Sequence, residues 1–329
     1  MKLTLAQIQA AARGVAYVSE EAALVRLHRF TPEQENMYRS TNADHYLRTF
    51  ATAGVILEFD TDSKFLGLSA AVSLASSRPW FVHSIFVDGK PIGQLTGDLM
   101  PSETCYAQGR WDLGEGQKRV KIYFPWTACS MIQALELDDE AIFMPVVKPK
   151  KVLIFGDSIT QGYDAALPEE SYASILADNL DGNCLNKAIG GEVFRPELAV
   201  LRDEGPVDLI TVAYGTNDWN GRTPDLWIHN AREFYTELRK NYPDTKILVL
   251  APVWRGDWQS DKPGGDFRQV AQTLEEIAVQ IGNALFIDCF DFIPHDPAYY
   301  SPDVLHPNSD GFRCYGEKLL EVLKKENLV

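Results

Sequence analysis

The chain has 329 residues, with 31 Lys or Arg against 46 Asp or Glu, which gives a formal net charge of −15. At roughly 100–200 residues per domain this length predicts two domains, and the 45% of hydrophobic residues excludes a disordered chain. The acidic balance argues against a broad phosphate-binding surface, so we expect no nucleic-acid partner.

The cysteines and the apolar runs bear on the compartment. Five cysteines are scattered along the chain and form neither a CxxC pair nor a cluster with zinc spacing. The N-terminal stretch is typical of a short amphipathic helix, and no uncharged apolar run reaches the roughly 18 residues of a membrane span. We therefore expect reduced thiols, no membrane partner and a cytoplasmic location.

The first part of the chain, residues 1–147, is predicted to form an antiparallel β-sandwich of jelly-roll-like type. Short β-rich segments follow one another from about residue 50 without a long helix between them. In GVILEFDTD (54–62) the side chains alternate in character, and Val87-Asp88-Gly89-Lys90 has the Asp-Gly preference of a type I′ hairpin turn. Between the N-terminal stretch and residue 50, the sequence indicates a helix start at Thr31-Pro32-Glu33.

The second part, residues 148–329, is predicted to be an α/β domain. The segment PVVKPKK (145–151) has the composition of a linker, and beyond it strands and helices alternate. The apolar run VLIFGD (152–157) is typical of a strand buried on both faces. This alternation predicts a doubly wound parallel sheet that binds its ligand at the carboxyl ends of the strands. The further predicted strands are 207–215, 246–252 and 284–290, and the predicted helices are 170–181, 223–243, 266–282 and 311–328.

Polar motifs follow predicted strands at four places. Ser158 comes directly after a buried strand, Asn217 offers a side-chain donor for a developing oxyanion, and Asp303 can hold the imidazole of His306. Each motif alone also fits an ordinary explanation, namely an N-cap serine, an Asx turn, a loop histidine or a tight glycine turn. The motifs are GDSITQG (156–162), NKAIGGE (186–192), YGTND (214–218) and DVLHPN (303–308).

Taken together and in this order, the four motifs resemble those of the SGNH hydrolases, also called GDSL-type esterases. The resemblance covers about residues 150–329 and implies a flavodoxin-like three-layer fold. It implies that Ser158 is the nucleophile, His306 the general base and Asp303 the residue that orients the histidine. This order of triad residues also fits a serine hydrolase.

The same resemblance implies an oxyanion hole and the absence of a cofactor. Its donors would be the backbone N–H of Ser158, the backbone N–H of Gly191 and the side chain of Asn217. Spacing favours Gly191, and Gly190 stays open as the alternative donor. No metal ion or organic cofactor is implied.

An N-terminal β-sandwich before such a domain is similar to certain two-domain carbohydrate esterases. We therefore expect a serine hydrolase that cleaves O-acyl esters through an acyl-enzyme, an acetylesterase acting on carbohydrate. The expected substrate is a small-molecule or oligosaccharide ester, and a homo-oligomer is left open. The alternatives are a lipase or thioesterase, or a non-catalytic glycan-binding protein.

The pocket lining is predicted from aromatic and basic residues after the strand ends. Trp219, Trp254 and Arg255 lie in such loops and would suit a sugar ring or an acyl chain. They could equally anchor their own loops. The segment PVWRGDWQSDKPGGD (252–266) is polar and glycine-rich, which predicts a mobile rim of the pocket.

Overall fold

The first part of the chain contains two antiparallel β-sheets. The computed structural model describes residues 1–329. Before residue 148 its helices and strands are α1 (Leu5–Ala11), β1 (Ala12–Arg13), β2 (Tyr17–Glu21), β3 (Leu24–His28), α2 (Pro32–Thr41), α3 (Ala43–Thr49), β4 (Ile56–Thr61), β5 (Phe65–Leu74), β6 (Trp80–Val87), β7 (Lys90–Asp98), β8 (Thr104–Asp112), β9 (Lys118–Tyr123), β10 (Ala128–Glu136) and β11 (Phe143–Pro145).

The two sheets pack face to face and confirm the predicted β-sandwich. One sheet has the strand order β1-β4-β9-β6-β7, with β11 beside β4, and the other has the order β2-β3-β10-β5-β8. Both contribute to one apolar core, which includes Leu57 and Phe59 of β4 and Leu66 and Leu68 of β5. These side chains lie two residues apart because alternate residues of a strand point to the same face.

The local turn and cap signals are also confirmed. Asp88 and Gly89, with φ of 47° and 76°, join β6 to β7, and a type I′ turn requires positive φ at both positions. Helix α2 begins at Pro32, and the side chain of its N-cap Thr31 accepts a hydrogen bond from the Gln34 amide.

One hairpin before residue 50 was not predicted. Strands β2 and β3 pair there through a turn at Ala22 and Ala23, which have φ of 50° and 63°. Alanine rarely adopts positive φ, so this turn lacks the glycine or asparagine that would have marked it in the sequence.

The second part of the chain is an α/β unit built on five parallel strands. The strand order β13-β12-β14-β15-β16 confirms the predicted flavodoxin-like sheet. Its elements are β12 (Lys150–Gly156), α4 (Ser158–Gln161), α5 (Tyr172–Asn179), β13 (Gly182–Asn186), α6 (Pro196–Val200), β14 (Leu209–Ala213), α7 (Thr216–Gly221), α8 (Pro224–Asn241), β15 (Lys246–Leu250), α9 (Phe267–Ile281), β16 (Ala284–Ile287) and α10 (Ser309–Lys325), with 3₁₀ turns at Pro168–Glu170 and Pro297–Tyr299.

The apolar run of β12 is explained by the two cores of this sheet. Leu153 and Phe155 pack into the core on one face. Val152 and Ile154 pack into the core on the other face. A strand between two layers of helices needs apolar residues on both faces, so its sequence does not alternate. The proposed division at residues 147/148 falls between β11 and β12 and stays a prediction.

Buried polar contacts join the two parts. Arg29 is fully buried and donates to the carbonyls of Ala51 and Arg48 in the first part and of Asn186 and Ala188 in the second. Burial lowers the pKa of its guanidinium to about 9. Because Ala51, Asn186 and Ala188 are buried, Arg29 satisfies buried acceptors in both parts and anchors the parallel sheet to the β-sandwich.

None of the helices is both long enough and apolar enough to cross a bilayer.

Candidate active site

Ser158 lies at the carboxyl end of β12, as the first residue of the short helix α4. Asp157 caps this helix, because its side chain accepts a 3.0 Å hydrogen bond from the Ile159 amide. The helix ends after one turn at Gly162, whose φ is 107°. The sharp turn leaves Ser158 6% exposed at the edge of the sheet.

His306 joins Ser158 to Asp303. Its Nε2 lies 2.8 Å from Ser158 Oγ, and its Nδ1 lies 2.6 Å from Asp303 Oδ2. A histidine with one nitrogen on a hydroxyl and the other on a carboxylate has the arrangement of a Ser-His-Asp triad. The structure therefore brings together the three residues that the sequence singles out.

The turn that forms this arrangement is local. Asp303 Oδ1 accepts hydrogen bonds from the amides of Leu305 and His306 at 2.9 and 3.0 Å. Val304 adopts φ of 50°, which folds the loop back on itself. Burial acts to raise the pKa of Asp303, but the hydrogen bonds from His306 and Leu305 outweigh it and lower that pKa. Asp303 is thus held as a carboxylate beside the imidazole.

The two predicted oxyanion donors other than the Ser158 amide lie on two neighbouring segments. The Asn217 side chain donates to the Glu192 carbonyl at 3.0 Å, and its second N–H is left for a ligand. The Gly190 amide already donates to Gln161 Oε1 at 2.8 Å. Gly191 is exposed with φ of 83°, and no acceptor within the chain takes its amide. The geometry therefore favours Gly191 over Gly190 as donor.

Glu192 is the buried anchor of the loop that carries Gly190 and Gly191. It is fully buried, with His45 Nδ1 at 3.4 Å and the Arg195 guanidinium at 3.2 Å from its carboxylate. Burial acts to raise the pKa of Glu192, but the nearby His45 and the charge of Arg195 outweigh it and lower the pKa to about 2. Arg48 also donates to the Gly190 carbonyl. His45 and Arg48 both lie on α3, so the β-sandwich part supports the loop.

A small cavity lies behind the nucleophile. It is lined by Asp157, Thr160, Tyr214 and Tyr315, among others, and holds about 20 Å³, room for about one water molecule. Burial raises the pKa of Asp157 to about 7. Burial therefore disfavours the charge of this cap of α4, and Ser158 is not among the residues that line the cavity.

Aromatic side chains connect His306 to the β-sandwich part. The Tyr163 ring stacks on the His306 ring, with centroids 5.5 Å apart and planes at 29°. Trp126 packs against Tyr163 at 5.0 Å, and the half-buried Trp80 packs edge-on against Trp126 at 5.4 Å. The sequence offers no signal for this contact, because Trp80 of β6 and Trp126 of the β9–β10 loop are distant from His306 along the chain.

Residues 154–314 match the model of the GDSL-like Lipase/Acylhydrolase family. This segment includes Ser158, Asn217, Asp303 and His306. The chain carries a GDSL-like lipase/acylhydrolase domain. The match confirms the predicted enzyme class, a carboxylic ester hydrolase, and the resemblance seen in the four motifs.

Solved structures share the fold of the whole chain. The salicylyl-acyltransferase SsfX3 from a tetracycline biosynthetic pathway is 19% identical, with 97% of this chain and 95% of that one covered and a TM-score of 0.84. A putative GDSL-like lipase from Bacteroides ovatus is 20% identical, with coverage of 97% and 96% and a TM-score of 0.75. A family two carbohydrate esterase from Clostridium thermocellum, in complex with cellohexaose, is 18% identical, with coverage of 85% and 94% and a TM-score of 0.65.

These structures show that the two-part fold of this chain occurs in other proteins. At identities near 20% the likeness concerns the fold alone. Comparison with curated protein sequences finds no significant match.

Two of the three predicted pocket-lining residues, Trp219 and Arg255, are buried in this structure. Trp219 is fully buried, and its indole N–H donates to the Gly265 carbonyl at 2.8 Å. Arg255 is 5% exposed, stacks over Trp219 and donates to Thr216 Oγ1 at 2.8 Å. The two residues join α7 to the loop before α9, and their polar groups find partners within the chain.

Trp254 is half-buried and stacks on His295, with ring centroids 5.1 Å apart. Tyr300 donates its hydroxyl to the Trp254 carbonyl at 3.0 Å. The place of Trp254 in the substrate pocket of the acylhydrolase domain stays a prediction.

The acylhydrolase domain also contains one cluster with donor atoms close enough for a metal ion, formed by Asp164, Asp303 and His306 within 4.8 Å. These atoms already have partners, because Asp303 holds His306 Nδ1 and Arg78 pairs with both oxygens of Asp164. The cluster is therefore explained by hydrogen bonds within the chain. Asp164 was not predicted as a site residue, because long-range contacts of this kind leave no local pattern in the sequence.

Proposed function

We propose that the protein is an acetylesterase that acts on acetylated carbohydrate, with Ser158 as nucleophile, His306 as general base and Asp303 as its orienting carboxylate. One observation carries this proposal, the chain of contacts from Ser158 Oγ to His306 at 2.8 Å and on to Asp303 at 2.6 Å. Serine is a weak nucleophile at neutral pH and requires such a base.

The acylation step follows from this geometry. Ser158 Oγ attacks the ester carbonyl carbon while His306 Nε2 takes the hydroxyl proton. The tetrahedral intermediate places its oxyanion toward the Ser158 amide, the Gly191 amide and the Asn217 side chain. Its collapse breaks the bond to the alcohol oxygen, which receives the proton from His306 and leaves as the alcohol.

Deacylation uses the same groups in reverse order. His306 takes a proton from a water molecule, and the resulting hydroxide attacks the carbonyl carbon of the acyl-enzyme. The second tetrahedral intermediate collapses, Ser158 recovers the proton from His306, and the free acid leaves. Asp303 stays ionised throughout and stabilises the imidazolium that forms in each step.

Two observations support a carbohydrate substrate. The half-buried Trp80 lies within an aromatic row that ends at His306, and aromatic faces suit sugar rings. Family two carbohydrate esterases share the two-part fold. A cleavable lipid or thioester is the alternative substrate. Cytoplasmic location and a homo-oligomer remain predictions from the sequence.

Acyl transfer to a second alcohol is a further candidate outcome for the same acyl-enzyme. The observation that favours it is the TM-score of 0.84 to a salicylyl-acyltransferase over nearly the whole of both chains. Transfer differs from hydrolysis only in the nucleophile of the second step, where an alcohol replaces water.

A panel of esters tests the proposal. Wild-type protein and Ser158→Ala are assayed on 4-nitrophenyl esters with acyl chains of two to twelve carbons and on acetylated oligosaccharides. We expect highest kcat/KM for acetyl, release of acetate from the oligosaccharides, and no turnover by Ser158→Ala. A preference for eight carbons or more would point to lipid, and folded wild-type protein that is inert on every ester would overturn the proposal. Added alcohols that yield new esters at the expense of acid would identify transfer.

A further inference from the structure

A second carboxylate lies beside His306. Asp164 Oδ2 is 3.8 Å from His306 Nδ1, whereas Asp303 Oδ2 is 2.6 Å from the same atom. Asp164 is thus too far for a hydrogen bond in this structure but close enough for a strong charge interaction. Its backbone has φ of 71°, an uncommon conformation for aspartate that persists only where the surroundings hold it.

The residue that holds Asp164 comes from the other part of the chain. Arg78 lies in the loop between β5 and β6 of the β-sandwich, 86 residues earlier in sequence. Its Nε donates to Asp164 Oδ1 and a terminal nitrogen donates to Oδ2, both at 2.7 Å. The guanidinium also lies over the Tyr163 ring, 5.3 Å from its centroid. Two parallel hydrogen bonds fix the plane of the carboxylate as well as its position.

We propose that Asp164 and Arg78 are positioning residues for His306, with Asp164 as a second carboxylate at Nδ1 and Arg78 as the group that limits how strongly Asp164 acts on the imidazole. The β-sandwich part thereby sets the strength of the general base. This inference rests on the proposed role of His306 as the base of Ser158.

The charges around His306 determine in which direction each substitution changes protonation of the imidazole. The groups that face the ring are Asp303 from its own loop, Asp164 and Tyr163 from the loop after α4, Arg78 from the β-sandwich, and Ser158. A carboxylate near the imidazole favours its protonated form, and Arg78 offsets the share that comes from Asp164. Loss of Arg78 removes this offset and frees Asp164 to move onto Nδ1, so the imidazole becomes easier to protonate. Loss of Asp164 removes its negative charge, so the imidazole becomes harder to protonate.

The first test is the pH dependence of kcat/KM on 4-nitrophenyl acetate, whose acidic limb reports the protonation of the base in the free enzyme. We expect Arg78→Gln to move the acidic limb upward by about one pH unit and Asp164→Asn to move it downward by about half a unit. Arg78→Lys, which keeps the charge but not the two parallel bonds, should recover part of the wild-type profile.

The second test removes the carboxylate that now holds the histidine. In Asp303→Asn we expect residual turnover that depends on Asp164, so the double variant Asp303→Asn, Asp164→Asn should lose at least about tenfold more kcat. The loss from Asp164→Asn should be clearly smaller when Asp303 is present. A purely structural role of Asp164 would give the same loss in both backgrounds.

A matched control separates this effect from domain contact in general. Lys121 of β9 pairs with Asp178 of α5 at 2.8 Å, which joins the same two parts of the chain away from His306. Lys121→Gln should leave the acidic limb unchanged, and thermal unfolding of each variant checks that it is folded.

The outcomes are distinguishable. An unchanged limb in Arg78→Gln and Asp164→Asn, with active wild-type protein and inert Ser158→Ala, overturns this inference and leaves the proposed function intact. An equal displacement in Lys121→Gln also overturns it, since the cause is then the contact between the two parts. Wild-type protein inert on every ester overturns the proposed function and this inference with it.

Discussion

Two regions of the molecule meet at the candidate active site, and they contribute different kinds of residue. The α/β region supplies the reacting groups, Ser158, Asp303 and His306, from loops at the carboxyl edge of one parallel sheet. The β-sandwich region supplies no reacting group but contacts the same edge through Arg78 and Arg48.

This difference shows that the reacting groups and the residues that position them come from different regions of one fold. The reacting groups lie next to each other because parallel strands end at a common edge. The supporting groups reach that edge only because the second region docks there. A substitution of a reacting group in the α/β loops should therefore abolish turnover. A substitution in the β-sandwich should change the stability of the protein or the rate of the reaction to a smaller extent.

The largest effect tests the chemical side of this comparison. We expect Ser158→Ala to lower kcat by about 10⁵-fold, because the acyl-enzyme has no other nucleophile. The measurement is hydrolysis of 4-nitrophenyl acetate together with labelling by a fluorophosphonate probe. Ser40→Ala, at the exposed end of α2, is the matched control and should behave as wild type. Retained labelling of Ser158→Ala would place the nucleophile elsewhere.

The next effect concerns the oxyanion. Asn217→Ala should lower kcat by about 10²–10³-fold with a smaller change in KM, because one preorganised donor is lost. Asn179→Ala is the control, since this asparagine bonds only to the Ile175 carbonyl of its own helix. A loss below about tenfold would show that the Asn217 side chain serves the Glu192 carbonyl and not the reaction.

A pH-dependent effect tests the contact between the regions. Glu192 has a pKa of about 2 in the folded protein and an ordinary value near 4.3 when unfolded. Its stabilising share is therefore fully present above about pH 5 and is lost as the pH falls toward 2. Glu192→Gln should lower the free energy of unfolding by about 3 kcal/mol at neutral pH and by about half as much at pH 3. Urea unfolding at both values measures this.

Two results would count against this assignment. One is an equal loss of stability at pH 7 and pH 3, which would indicate a packing defect in place of a lost charge. The other is the same pH dependence in Glu326→Gln, a control at the far end of α10.

The smallest effect belongs to the β-sandwich alone. Gly89→Ala places a side chain at φ of 76° in the β6–β7 turn, where a Cβ meets no atom within 4 Å. We expect a loss of about 1 kcal/mol in unfolding free energy from backbone strain, with kcat/KM unchanged. Gly221→Ala, also in open space but without positive φ, is the control. Impaired turnover in Gly89→Ala would mean that the hairpin acts on the catalytic edge.

Much of the fold could be predicted because its signals are local. The doubly apolar run of β12, the Asp-Gly hairpin turn and the Thr31 cap all follow from short-range physics and appear where expected. The hairpin of β2 and β3 could not be predicted, since its alanine turn is imposed by strand pairing and not by turn residues.

The candidate site divides in the same way. By itself the sequence determined the residue types and their order, because a serine after β12, an asparagine after β14 and an Asp-x-x-His turn are each formed within a few residues of chain. It could not separate Trp254 from Trp219 and Arg255, which turned out to be buried, because burial depends on what packs above a loop. Only the tertiary structure decided that Gly190 already has an acceptor and that Arg78 grips Asp164 beside His306. Both contacts join segments that are distant in sequence: Gly190 meets Gln161 within the α/β region, and Arg78 meets Asp164 because the two regions dock.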